Sequence, residues 1–214
     1  VYECRKEMGK ALAKECPTDG DIVVPVPDSG VPAALGFAEE SKIPFDLGII
    51  RNHYVGRTFI EPTQKIRQLG IKLKHNTNKD LLRNKRVILV DDSIVRGTTA
   101  VKIIKMIKDA KASEVHLRIS SPPIKFPDYY GIDTPNEEEL IAANMSIEKI
   151  RQKLGLDSLH FLSIKGLYSA MGYKERNQTQ PQFTDHCFTG DYPTELTDKE
   201  EGILTSQLSL LSEN

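Results

Sequence analysis

Two adjacent carboxylates, Asp91 and Asp92, run straight into Ser93-Ile-Val-Arg-Gly-Thr-Thr99, a stretch rich in small and hydroxyl-bearing residues. A turn of small residues ahead of a helix offers unpaired backbone N–H groups and the positive end of the helix dipole, both of which attract anions. Two carboxylates beside it repel them. The conflict vanishes if the acids serve another part of the same ligand: sugar hydroxyls, which need acceptors, or a divalent cation, which needs oxygen donors. The ligand implied is a sugar phosphate. The plainer alternative is a helix-capping turn with solvated acids, which gives Arg96-Gly97-Thr98-Thr99 at this spacing no task.

The flanking residues say how this stretch is carried. Val87 to Val90 are apolar and mostly β-branched, as in a short strand buried on both faces of a parallel sheet. Ala100, Ile103, Ile104 and Ile107 repeat at helical spacing, with Thr98 or Thr99 suited to cap the helix. A second strand end stands earlier: Asp21 to Val26 is apolar, Pro27-Asp28-Ser29-Gly30 turns the chain, and Pro32 opens a helix where proline is tolerated. A plain connecting turn explains this taken alone. An open parallel sheet, however, binds ligands outside the carboxyl ends of its strands, so the two turns flank one crevice with Ser29 near the acids.

Between them, residues 46–50 are expected as a strand, followed by a long segment from Arg51 to His75. It holds Arg51, Arg57, Lys65, Arg67, Lys72 and Lys74 against the one acid Glu61, with Tyr54 among its aromatics. A connection this long without periodicity is usually functional or disordered, and its basic content suits a flexible lid closing over a polyanion; a solvated basic loop is the alternative.

Elsewhere, residues 2–16 form an amphipathic surface helix with Cys4 and Cys16 as packing residues. Glu114 to Ser120 alternates enough to be a strand near a sheet edge, stopped by Pro122-Pro123. Phe126 to Asp133 is an aromatic-rich loop, and helices follow over 136–144 and 146–154, the second capped by Ser146. Residues 159–164 read as a last strand and 165–171 as a brief helix. The division expected is one domain over 1–195 and a polar tail over 196–214.

At 214 residues, 39% of them hydrophobic, the chain can bury a core of that size. A net charge of −1 gives no electrostatic case for nucleic acid or an anionic membrane as partner. No apolar run approaches the roughly 20 residues of a membrane helix, and no charged-then-apolar signal opens the chain, so a cytoplasmic location is expected. Cys4, Cys16 and Cys187 are odd in number and lack C-x-x-C spacing, which argues against a disulfide framework. The chain opens at Val1 inside a helical pattern, so further residues upstream are expected.

Asp91 to Thr99 resembles the phosphoribosyl-pyrophosphate (PRPP) loop of the type I phosphoribosyltransferases. Val24-Pro-Val-Pro-Asp-Ser29, Tyr54-Val-Gly-Arg-Thr-Phe-Ile60, Ser121-Pro-Pro-Ile124, Tyr130-Gly-Ile-Asp133 and Cys187-Phe-Thr-Gly-Asp-Tyr-Pro-Thr-Glu195 narrow the resemblance to the glutamine PRPP amidotransferases, over residues 1–195. The resemblance implies an α/β fold: a central, mostly parallel sheet with helices on both faces and a long flexible lid loop. It implies displacement of pyrophosphate from C1 of PRPP by ammonia, giving 5-phosphoribosylamine at the start of purine synthesis. By the same resemblance, Ser93, Arg96, Gly97, Thr98 and Thr99 hold the 5-phosphate, Asp91 and Asp92 the ribose hydroxyls, and Asp28 and Ser29 the pyrophosphate, while Ser29, Asp91 and Asp92 hold Mg²⁺ and Tyr54 and Arg57 close the site. Inhibition by purine nucleotides and a dimer or tetramer are also implied.

The chain departs from that family in two places. The family's glutaminase domain, with its N-terminal nucleophilic cysteine, has no counterpart here, so this chain alone is expected to use ammonia rather than glutamine. Some relatives bind a four-iron cluster through cysteines; Asp128 and Thr184 stand at two such positions, leaving Cys187, and one thiolate cannot hold the cluster. Three other readings compete. A PRPP-binding regulator of the same fold would not need a lid. A receiver domain would place its acid pair after the first strand. An enzyme using a purine base as acceptor would respond to hypoxanthine rather than ammonium.

Overall fold

The computed structural model describes residues 1–51, 75–131 and 136–196. Four strands, β1 (Ile22–Pro25), β4 (Arg86–Asp91), β5 (Glu114–Ile119) and β6 (Ser158–Phe161), form an all-parallel sheet in that order. In β1 and β4 alternate residues feed two separate cores, as strands buried on both faces must. Ile22, Val24, Val87 and Leu89 face one core and Val23, Ile88 and Val90 the other. Helices α1 (Tyr2–Glu15) and α2 (Val31–Ser41) cover the second face with Leu12, Ala34 and Phe37. Helices α4 (Thr98–Asp109) and α6 (Ile147–Leu154) cover the first with Ile103, Ile104, Ile107, Ile150 and Leu154.

Glycine decides how closely α1 and α2 meet. A Cβ at Gly9 would lie 1.9 Å from the Ala33 carbonyl oxygen, and one at Gly36 would lie 1.9 Å from that of Lys6. The two backbones therefore touch, and either substitution would push the helices apart.

Strand β5 is interior, between β4 and β6, rather than near an edge. The alternation of Glu114 to Ile119 is real, but its polar positions are satisfied by protein. His116 is 2.9 Å from both Ser158 Oγ and Glu114 Oε2, and Arg118, 2% exposed, donates to Thr18, Ser158 and the Leu117 carbonyl. Buried polar groups that find partners look, in a sequence, like groups that face water.

The strand expected over 46–50 sits later, at β2 (Ile49–Arg51), and outside the main sheet. It pairs antiparallel with β3 (His75–Thr77), Arg51 opposite His75, while Phe45 makes an isolated bridge to Val23. The two ends of the basic segment are thus neighbours; the lid itself, with Tyr54 and Arg57, lies outside the described residues. A short helix, α3 (Lys79–Leu82), capped by Asn78, then seals Leu82 into the core.

The helix expected over 136–144 is broken into a 3-10 turn, Glu137–Glu139, and α5 (Ile141–Asn144). Leu140 between them is extended, with φ −76° and ψ 109°, and fully buried. Ser146 caps α6 as expected, accepting from the Lys149 N–H, and Gly155 ends it in the left-handed region. Helix α7 (Ile164–Ala170) follows β6, and α8 (His186–Thr189) lies in the otherwise irregular C-terminal part. There Asp185, 3% exposed, accepts from Tyr168 Oη at 2.9 Å and Arg176 Nε at 2.7 Å. Most of the expected tail lies outside the described residues. No described helix is long and apolar enough to cross a membrane.

Candidate functional site

The connection after β1 leads to α2 on one face of the sheet, and the connection after the adjacent β4 leads to α4 on the other. Where neighbouring connections part in this way, a crevice opens at the strands' carboxyl ends. A cavity of about 400 Å³ lies there, lined by Val26, Pro27 and Ser29 from the first turn and by Asp91 to Ala100 from the second. Arg51 joins them from the end of β2.

The two turns are held at backbone contact. A Cβ on Gly30 would fall 2.5 Å from the Val90 carbonyl oxygen and 2.8 Å from that of Val26, so only glycine lets the first turn fold over β4. The Pro27–Asp28 peptide bond is cis. In the second turn Gly97 is the N-cap of α4, at φ +77°, a conformation that L side chains resist. This corrects the expected cap: Thr98 and Thr99 are the first helical residues, and no side chain caps the helix. Its first N–H groups are therefore left for a ligand, with both threonines exposed at the cavity.

Asp91 ends β4, its carbonyl accepting from Ser120 N–H at 2.9 Å, which ties it to the next strand. Its Oδ1 accepts from Asp92 N–H at 2.8 Å, and Ser93 Oγ donates to Asp92 Oδ1 at 3.0 Å. Burial, and then the neighbouring Asp92 charge, push the Asp91 carboxyl up to about 7. Among the described residues neither acid has a basic partner. Two crowded carboxylates without a counter-charge suit a cation or a polyol. For a small hard cation the donor set fits: Asp91, Asp92 and the Ser29 hydroxyl are all oxygen, and magnesium takes one or two carboxylates plus ligand phosphates. No group of three or more His, Cys, Asp or Glu side chains able to hold a metal occurs among the described residues.

Of the residues singled out in the sequence, Ser29, Asp91, Asp92, Ser93, Arg96, Gly97, Thr98 and Thr99 all line this one cavity. Asp28 stands beside it, its carboxylate bound to Arg51 Nη1 at 2.5 Å. Arg51, counted in the sequence only among the basic residues of the long segment, ends β2 instead and lines the cavity. The Arg96 guanidinium points to Glu139. Asp128 and Thr184 lie elsewhere: Asp128 is buried 2.8 Å from His186 Nε2, Thr184 is exposed, and burial raises the Cys187 thiol to about 11.

Comparison with known proteins gives a consistent picture. Residues 3–120 match the phosphoribosyl transferase domain. An amidophosphoribosyltransferase of Rhizobium etli is 60% identical over all of this chain and 43% of its own length. One from Bacillus subtilis is 50% identical over 92% of the chain and 41% of its length. The solved glutamine PRPP amidotransferase of B. subtilis complexed with ADP and GMP superimposes with a TM-score of 0.81 at 49% identity, covering 91% of this chain and 42% of that one. The chain thus spans less than half the length of these relatives.

Proposed function

Since this chain belongs to the phosphoribosyl transferase domain family and corresponds to that part of the amidophosphoribosyltransferases, we propose that it transfers ammonia to C1 of PRPP, releasing pyrophosphate and forming 5-phosphoribosylamine. The observation that carries this reading is the Asp91–Asp92 pair facing the uncapped start of α4 within one cavity.

The 5-phosphate would take the free N–H groups at the start of α4, with the hydroxyls of Ser93, Thr98 and Thr99. The ribose hydroxyls would donate to Asp91 and Asp92, which stand where β4 ends and the same turn begins. The turn of Asp28 and Ser29 would then face the pyrophosphate, and Arg51 beside it would offset the leaving group's charge. Asp91, Asp92 and Ser29 would hold Mg²⁺, which when bound supplies further charge neutralisation at the pyrophosphate. Tyr54 and Arg57, in the basic segment, would close the site against water, a competing nucleophile at the oxocarbenium-like centre. Ammonia is nucleophilic as it stands, so no general base is required of the site.

No residue here is assigned to glutamine hydrolysis, so ammonia is the nitrogen donor proposed for this chain, with glutamine use belonging to the remaining length of such proteins. Purine nucleotides are proposed as inhibitors through the same phosphate turn, as the ADP and GMP of the B. subtilis structure encourage, and a dimer or tetramer is proposed as the assembly. No iron–sulfur cluster is proposed. Three free thiols fit a reducing compartment such as the cytoplasm, although the Arabidopsis thaliana relatives carry chloroplastic names. The test is pyrophosphate release from PRPP with Mg²⁺ and ammonium. PRPP binding without release would favour a regulator of the same fold, and release dependent on hypoxanthine would favour a base-using transferase.

A further inference from the structure

The phosphate turn has no cap of its own, and it is supported from outside by one short segment, residue against residue. Ile141 N–H donates to the Val95 carbonyl at 3.0 Å. Arg96 Nε donates to Glu139 Oε2. Gly97 lies beneath Ile141, where an added Cβ would come within 2.9 Å of Ile141 Cδ1. Val95, Arg96 and Gly97 are thus each met by a residue of 139–141.

Beside its backbone hydrogen bonds, that segment is gathered by one side chain. Asn144 Nδ2 donates to the carbonyls of Glu137 at 2.8 Å, Glu138 at 3.1 Å and Leu140 at 2.9 Å. Leu140, fully buried, roots the segment in the core. The Glu137 carbonyl also accepts from Leu140 N–H at 3.1 Å and the Leu140 carbonyl from Ala143 N–H at 3.1 Å, so the Asn144 carboxamide adds a clamp across the break in the helix and meets the Glu138 carbonyl as well. Aspartate at 144 would bring acceptors to acceptors, and alanine would bring nothing.

We propose that Asn144 and Glu139 are positioning residues of the sugar-phosphate site: Asn144 fixes the Glu137–Ile141 segment, and the segment fixes the conformation of the Val95–Gly97 turn. Glu139 also draws the Arg96 guanidinium away from the turn's inner side, so that the phosphate is read by backbone N–H groups and threonine hydroxyls. Preorganised donors bind better than donors that must be ordered on arrival. The identity of the ligand, PRPP, rests on the function proposed above; the brace does not.

Two measurements on the whole chain test this. Hydrogen exchange of the ligand-free protein should show faster exchange at residues 94–99 in Asn144→Ala, with β5 and β6 amides unchanged. In ammonia-dependent turnover the same variant should raise KM for PRPP about tenfold, the loss of roughly one to two net hydrogen bonds, with kcat within about twofold, because phosphate grip is shared by ground and transition states. Glu139 is exposed, so its variants should fold: Glu139→Ala should raise KM by up to about fivefold, and Glu139→Gln, which keeps an acceptor, should recover most of it. A variant that merely lost folded protein would lower the maximal rate at unchanged KM, and that result would overturn the positioning role. Unchanged exchange at 94–99 in Asn144→Ala would overturn the brace itself. Faster exchange at 94–99 in Asn144→Ala, with a wild-type chain that binds no PRPP, would uphold the brace and sink the proposed function instead.

Discussion

Arg51 Nη1 donates to Asp28 Oδ2 across 2.5 Å, linking the end of β2 to the turn after β1 over the mouth of the cavity. The Nε of the same guanidinium is buried and has no partner among the described residues. A cation with one anionic contact among the described residues, and a second donor without a partner among them, is placed to meet a second anion without moving far. Asp28, 53% exposed at its side chain, is the more replaceable partner.

Arg51→Ala should therefore lower kcat for pyrophosphate release on the order of a hundredfold, the usual cost of losing one charge-stabilising donor. Arg51→Lys should recover part of it. Steady-state kinetics with saturating PRPP decide the point, and wild-type kcat from the alanine variant would remove Arg51 from the site.

Asp91→Asn and Asp92→Asn should each reduce turnover by orders of magnitude. Both residues lie at a strand end, outside the apolar core, so circular dichroism and the melting temperature should stay near wild type. Loss of the fold in these variants would mean that the acids are structural.

Gly97→Ala should cost about 1–2 kcal/mol of stability, because φ +77° disfavours any L side chain, and more if Ile141 cannot yield. Denaturant unfolding measures the first effect. PRPP affinity should fall with it, since the same residue shapes the turn.

At the opposite end of the sheet, the Asp21 carboxylate accepts from Arg86 Nη2 at 3.0 Å and Arg86 N–H at 2.8 Å, which hold it down to about 2. A carboxyl depressed in the fold stabilises it above its unfolded value near 4, and that contribution is lost as pH falls toward 2. Melting temperatures of wild type and Asp21→Asn should differ at pH 6 and converge near pH 2. A constant difference across that range would contradict the linkage.

Arg176→Ala should destabilise by about 3–5 kcal/mol, because it strands the buried Asp185 carboxylate without its cation. Removing a second donor to that carboxylate with Tyr168→Phe should cost about 1.5–3 kcal/mol, as expected for a single buried hydrogen bond to a charged group. Both values are accessible by denaturant titration.

The local grammar of the site was legible in the amino-acid order. A β-branched run, two acids, a small-residue turn and a helical repeat follow one another within Arg86–Asp109, so their mutual placement depends on short-range geometry that a sequence states directly. The pairing of that turn with Ser29 followed from the rule that parallel strands carry ligands at their carboxyl ends. Three features were not legible, each for its own reason. The interior place of β5 was hidden because His116 and Arg118 are satisfied across 42 and 100 residues of chain, by Ser158 and Thr18, and sequence-distant partners leave no local mark. Gly97 rather than a threonine became the cap because the turn takes a positive φ there and a Cβ would meet Ile141 Cδ1, a residue 44 positions along the chain. Arg51 met the site through its contact with Asp28, and the Glu139–Ile141 segment through its contacts with Val95 and Arg96, both across long stretches of chain. The order of residues thus determined which groups could bind a sugar phosphate; the packing of separate segments decided which side chains hold those groups in place, because such support acts through space between residues that the chain itself keeps apart.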